Sequence, residues 1–211
     1  MTENFFRRAS APLAKAALCA ALLPALGSLA GCATSELRPS DCVAPGQADV
    51  SLMGRFAVHY SRDGKSDSLS GRFSWLQSAQ CTDVSLISPT GQTVAIINVT
   101  PQAATLQQSG KAPRSAPDLD GLMQQSLGWS LPVSGLRDWL QGHAIAADGS
   151  AFVASPARDS IVTRDGWKLD YLGWLDEQAA TPRPKRIDVT RLGAGQLDDL
   201  SFRIVIDSPA E

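Results

Sequence analysis

The sequence predicts a mainly β domain of the α+β class, an antiparallel sheet with a helical cover. Three observations carry that prediction. Apolar residues alternate over short runs; the runs are joined by polar turns of a few residues; and a helical period interrupts them in one block, between Ala116 and Gly142. Parallel strands would need long crossovers, which these turns are too short to provide.

Ahead of the domain, residues 1–31 read as a secretion signal. Arg7, Arg8 and Lys15 lead into an uncharged, Ala/Leu-rich run from Ala16 to Leu29, the basic and apolar regions of such a signal. The run is shorter than the roughly 20 apolar residues of a membrane-spanning helix, and Pro24 and Gly27 break it. Leu29-Ala30-Gly31-Cys32 then resembles the lipobox of bacterial lipoproteins. That resemblance implies cleavage before Cys32, which would carry a diacylglycerol and an N-acyl chain. No other cofactor and no metal is expected. Ala33 stands where an aspartate would favour retention in the inner membrane, so export to the outer membrane is implied.

Losing the signal removes Arg7, Arg8, Lys15 and Glu3, which moves the formal charge from −2 to −4. About 180 residues remain, enough for one domain with a sizeable core. No basic stripe or aromatic-interleaved basic patch is present, and nucleic acid is therefore not expected as a partner. Residues 32–46 contain two prolines and no apolar period, the character of a flexible tether with a reach of about 20 Å, less if a disulfide pins Cys42. Residues 47–211 are the single domain. Beyond the signal and the acylated cysteine, Cys42 and Cys81 are left. An oxidising periplasm favours a disulfide between them, with two free thiols as the alternative.

Within the domain the first strand runs from Val50 to Tyr60, with Val50, Leu52, Phe56, Val58 and Tyr60 on one face. A turn over residues 61–66 leads to Leu69–Trp75, where Leu69, Phe73 and Trp75 oppose Ser70, Arg72 and Ser74; together these form a hairpin. Asp83–Ser88 and Thr93–Thr100 form a second, turned by Ser88-Pro89-Thr90-Gly91. Ala104–Gln108 is a fifth strand. Leu119, Leu122, Met123 and Leu127 recur at helical spacing and Gly128 stops the run; Leu136, Trp139 and Leu140 stripe a second helix, with Ser134 placed to cap it. Strands return at Ser160–Arg164, Trp167–Trp174, Lys185–Arg191 and Ser201–Ile206.

The stretch Gly128-Trp-Ser-Leu-Pro-Val-Ser-Gly-Leu-Arg-Asp-Trp-Leu-Gln-Gly142 resembles the segment that marks the LolB family of outer-membrane lipoprotein-insertion receptors. Gly54-Arg55-Phe56, the Ser88–Gly91 turn, the Trp167–Trp174 strand and the lipobox at Cys32 reinforce the likeness, which extends over about residues 47 to 207. It implies an unclosed antiparallel half-barrel sheet, covered by short helices that enclose an apolar cavity for acyl chains. It also implies the partners: a LolA-like periplasmic carrier that hands over lipoproteins by their acyl chains, and the inner leaflet of the outer membrane, which receives them without nucleotide. A receptor that meets its carrier one to one is expected to be a monomer.

Candidates for the cavity wall are Phe73, Trp75, Leu86, Ile96, Met123, Leu127, Trp129, Trp139, Tyr171 and Trp174. Each is large and apolar and lies on a strand face or a cover helix, which fits ordinary core equally well. Arg137, among apolar neighbours, reads either as a latch that hydrogen-bonds sheet carbonyls in the closed state or as part of a solvated helix face. The tip residue Thr90 departs from the family's Pro-Leu-Gly turn, whose exposed apolar tip is associated with membrane insertion. Either neighbours such as Val94 take that role or the tip matters less. The basic cluster Arg183, Lys185 and Arg186 reads first as a solvated strand entry, with anionic headgroups or an acidic carrier surface as the functional alternative.

Catalysis finds little support. Only His59 and His143 are present as imidazole bases, and no Gly-x-Ser-x-Gly elbow, His-x-x-x-His or Cys-x-x-Cys occurs, so an enzyme is not expected. The rival of a different class is a structural or assembly lipoprotein that binds a protein partner and holds no lipid ligand. Such a protein would have a filled core and an exposed edge or patch.

Overall fold

The computed structural model describes residues 49–62, 64–127, 133–191 and 199–207, which belong to one compact unit, Ser35–Glu211. The signal, Cys32, the tether, Cys42 and Trp129 lie outside the described residues, as does the side chain of Leu127.

The elements follow in chain order: β1 (Val50–Arg62), β2 (Lys65–Gln77), β3 (Thr82–Ile87), β4 (Thr93–Val99), β5 (Ala104–Gln108), β6 (Arg114–Ala116), α1 (Leu119–Leu127), α2 (Val133–Trp139), β7 (His143–Ile145), β8 (Ala151–Val153), β9 (Ser160–Val162), β10 (Trp167–Trp174), β11 (Pro184–Arg191) and β12 (Asp199–Ile206). Ten strands form one antiparallel sheet in the order β6-β5-β4-β3-β2-β1-β12-β11-β10-β9. Its two edges do not pair with each other, so the sheet is not closed into a barrel. The long strand β1 is the spine: the meander β2–β6 builds outward from one side of it and β12–β9 from the other.

Polar turns as short as the sequence implies set the register. The β1–β2 ladder runs unbroken from Val50↔Gln77 to Arg62↔Lys65, and Gly64 takes φ +70° at its turn, a conformation that favours glycine. Strict alternation then sends every second side chain inward. In β12, Leu200, Phe202, Ile204 and Ile206 are buried and Arg203 is exposed; in β10, Trp167, Leu169 and Tyr171 are buried. Glycine permits close approach at one place on the spine. A Cβ on Gly54 would meet the Val205 carbonyl oxygen and come within 2.8 Å of the Phe73 ring, so the strands fold tightly over one another there.

The helices cross the concave face. Asp118 caps α1, its Oδ1 accepting from the Gly121 amide at 2.7 Å, and α1 buries Leu119, Leu122 and Met123, spaced for one stripe. Ser134 does not cap α2 as its position suggested. The helix begins at Val133, and the Ser134 hydroxyl instead donates to Asp120 Oδ2 at 2.7 Å, tying α2 to α1. Gly142, at φ +82°, ends the cover and turns the chain into the β7–β8 hairpin. His143 opens β7. The hairpin and β6 are three-residue strands, too short to show a period in the sequence.

Candidate functional site

The two halves of the concave face are filled differently. Over β10–β12 the core is aromatic and continuous: Trp139 of α2 lies 6.3 Å from Trp167, which lies 5.8 Å from Phe202. Tyr171 stacks between Phe152 of the hairpin and Trp174, at 6.3 and 6.1 Å. The Tyr171 hydroxyl donates to the Trp139 carbonyl at 3.3 Å. Burial pushes its phenol well above the ordinary range, as expected for a group that stays neutral inside a core. Arg191 covers the Trp167 ring at 4.9 Å.

Over β1–β5 the corresponding space is hollow. A cavity of about 450 Å³, within the size range of ligand sites, is walled by Phe56 and Val58 of β1, Phe73 and Trp75 of β2, Val84, Leu86 and Ile87 of β3, Ala95 and Ile97 of β4, Leu106 of β5 and Phe202 and Ile204 of β12. Met123 of α1 and Leu136 and Leu140 of α2 roof it. No charged side chain is among its described lining residues; Ser70, Ser88 and Gln108 are the polar ones. The indole N–H of Trp75 donates to Gln77 Oε1 at 3.0 Å, which satisfies its one polar atom and leaves an apolar face to the cavity.

Of the wall residues expected from the sequence, Phe73, Trp75, Leu86 and Met123 line this cavity. Ile96, Trp139, Tyr171 and Trp174 do not. Ile96 is buried, but Ala95 and Ile97 face the cavity, so alternation turns Ile96 to the opposite side of β4. Trp139, Tyr171 and Trp174 belong to the aromatic core of the other half. Leu127 and Trp129 fall where no side chain is described. Phe56, Val58, Phe202 and Ile204 were not singled out, although Phe56 and Val58 share the apolar face read for the first strand and the same alternation, not followed in β12, would have found Phe202 and Ile204.

At the rim, Leu69 is 54% exposed and Val94 40%, both lining residues. Between β3 and β4, the Ser88 amide donates to the Gln92 carbonyl at 2.8 Å and Gly91 to the Ser88 carbonyl at 2.9 Å. Thr90 is exposed, with its hydroxyl 2.8 Å from Ser88 Oγ. The apolar surface at this end of the cavity is therefore on the strand residues Leu69 and Val94 and on Pro89, rather than on the turn's tip.

Arg137 reaches from α2 to the β2–β3 turn. Its Nη2 donates to the carbonyls of Ser78 at 2.7 Å and Ala79 at 3.4 Å. That turn is itself closed: Ser78 N–H donates to the Cys81 carbonyl at 2.8 Å and the Cys81 amide to Ser78 Oγ at 3.1 Å. Cys81 is disulfide-bonded, and Cys42, its expected partner, lies outside the described residues. Neither imidazole lines the cavity; His59 and His143 are exposed on strands.

The family model described as Outer membrane lipoprotein LolB matches residues 48–208. The chain is 43% identical over 159 residues to the outer-membrane lipoprotein LolB of Cupriavidus metallidurans, covering 73% of this chain and 77% of that one. To the protein of that name from Cupriavidus pinatubonensis it is 36% identical over 202 residues, covering 93% and 90%. To that from Thiobacillus denitrificans it is 34% identical over 194 residues, covering 91% and 95%.

Proposed function

The chain belongs to the LolB family of outer-membrane lipoproteins, and from that premise we propose that it is a non-enzymatic receptor for lipoprotein transfer. Held in the outer membrane by acyl chains on Cys32 and facing the periplasm, it takes lipoproteins from a LolA-like carrier into its apolar cavity and releases them into the inner leaflet. The observation that carries this reading is the hollow beneath α1 and α2, with no charged side chain among its described lining residues. Each buried CH₂ is worth about 0.8 kcal/mol, so acyl chains cross the periplasm only under cover. Direction requires no nucleotide if cargo is held better here than on the carrier and better still in the bilayer. Phe73, Trp75, Leu86 and Met123 would contact the chains, with Leu69 and Val94 at the exit.

The test mixes the mature protein with carrier loaded with a fluorescent lipoprotein and follows which protein holds the cargo. Cargo should move to this chain without nucleotide. Cargo that stays on the carrier while this chain is folded would support the assembly-lipoprotein reading instead.

In this scheme Arg137 is the latch of the roof, since Leu136 beside it lines the cavity and its guanidinium holds the β2–β3 turn. Hydrogen bonds from a charged donor contribute about 1.5–3 kcal/mol, reduced here by the side chain's half exposure. Arg137→Ala should therefore speed amide exchange in α2 about tenfold, with β10 and β11 amides unchanged. Unchanged exchange in α2 would remove the latch.

A further inference from the structure

The convex face carries four arginines arranged around two aspartates. Inward residues Phe56, Phe73, Ile187 and Phe202 fix the opposite face for Arg55, Arg72, Arg186 and Arg203. The ladder sets Arg72 beside Arg55, then Val205, then Arg186, across four neighbouring strands. Arg203 stands one row away, paired with Asp188. Asp207 takes Arg55 at 3.3 Å and Arg72 at 3.9 Å. Asp188 takes Arg186 at 2.9 Å and Arg203 at 3.2 Å, its two oxygens meeting both guanidinium forks. Burial would raise the Asp188 carboxyl, but these hydrogen bonds and charges outweigh it and hold it below its ordinary value.

Each carboxylate thus serves two guanidiniums, and Asp170, opposite Asp188 on β10, is held by Lys168, so among the described residues each cluster keeps one positive charge in excess on a chain whose formal net charge is −2. The acids sit lower: Asp207 and Asp188 side chains are 31% and 23% exposed against 65%, 63% and 56% for Arg55, Arg72 and Arg203. An approaching surface meets guanidinium first. Stability does not explain the arrangement, because exposed ion pairs contribute little and like charges directly opposite on neighbouring strands, as Arg55 and Arg72 are, oppose pairing.

From this geometry we infer that the convex face is a docking surface for the anionic phospholipid headgroups of the leaflet that holds the protein. Asp188 takes the Nε and Nη2 donors of Arg186 and Arg203, which leaves their Nη1 groups for phosphate oxygens, while Arg55 and Arg72 meet Asp207 through Nη2 alone and keep more of the donor fork that suits a phosphate. Arg55 lies on β1, the strand that follows the tether, and a tether whose reach is at most about 20 Å keeps that leaflet continually at hand. Docked this way, the protein holds its concave face and cavity toward the periplasm, ready to receive cargo; release then requires it to turn over. The inference rests on the anchored-receptor reading and adds an orientation to it.

The test is footprinting with an arginine-specific dicarbonyl on the mature acylated protein in vesicles, without carrier or cargo, so the transfer reading can stand or fall separately. Flotation with phosphatidylcholine vesicles first establishes the anchor. Adding phosphatidylglycerol should lower modification of Arg55, Arg72, Arg186 and Arg203 about tenfold. High salt should restore it, and Arg114 and Arg158 should be unaffected throughout. Equal modification of the four arginines in both vesicles would overturn the inference. A second arm then adds the carrier without cargo, and protection that appears only in that arm would assign the face to a protein partner and overturn the inference equally. A chain that floats with neither vesicle would overturn the anchored reading and this one together.

Discussion

Replacing Ala95 with tryptophan should abolish cargo uptake from the carrier while the sheet stays folded. Ala95 is 5% exposed, lies on β4 between Leu86 and Gln108, and lines the cavity. A side chain that grows from this point enters space that is already empty, so the indole replaces the ligand rather than crowding the core. Overpacking of a filled interior costs about 1–3 kcal/mol, and a hollow one should cost less. The measurement is cargo transfer alongside near-ultraviolet circular dichroism. Native dichroism with no transfer is the expected pair of results, and Ala95→Leu should give an intermediate transfer. Full transfer by a folded tryptophan variant would mean that cargo is held elsewhere.

The opposite change in the opposite half should give the opposite result. Trp167 is 4% exposed and joins Trp139, Phe202 and the Arg191 guanidinium, with no place among the cavity lining. Trp167→Ala should destabilise the fold by about 3–5 kcal/mol. That lowers the midpoint of thermal unfolding by about 10 °C for a domain of this size, while transfer below the midpoint is retained. A loss under about 1 kcal/mol would show that this half collapses onto the gap and that its aromatic core is not what holds the fold. Together the two variants separate a half of the sheet that provides stability from a half that provides room.

How much of this was legible beforehand depends on the element. The alternation of β1 and β2 predicts inward faces that agree with the structure, Val58, Phe73 and Trp75 being buried, because apolar residues recur there at every second position. In β4 the run Val94-Ala-Ile-Ile is apolar on both sides, so Ile96 and Ile97 could not be told apart. Trp139, Tyr171 and Trp174 show a different limit. An inward aromatic looks the same in sequence whether a helix or a void lies above it, and where α2 and the β7–β8 hairpin settle decides which. The hairpin gave no signal at three residues a strand. The convex arginines were visible one by one, but only the register of β2, β1, β12 and β11 makes them neighbours. Arg183, grouped with Arg186 in the sequence, instead pairs with Asp176 at 2.7 Å.

An unclosed sheet has a liability of its own. A barrel hides every backbone donor and acceptor, whereas a sheet that stays open along one side keeps two raw borders onto which another chain can zip. Here both borders are stubs: β6 and β9 have three residues each, and Arg114, which opens β6, is exposed. Strangers find too little ladder to extend. The long strands that would make good templates, β1 and β2, are placed mid-sheet with partners on both sides, so the sheet can stay unclosed beside its cavity without inviting aggregation.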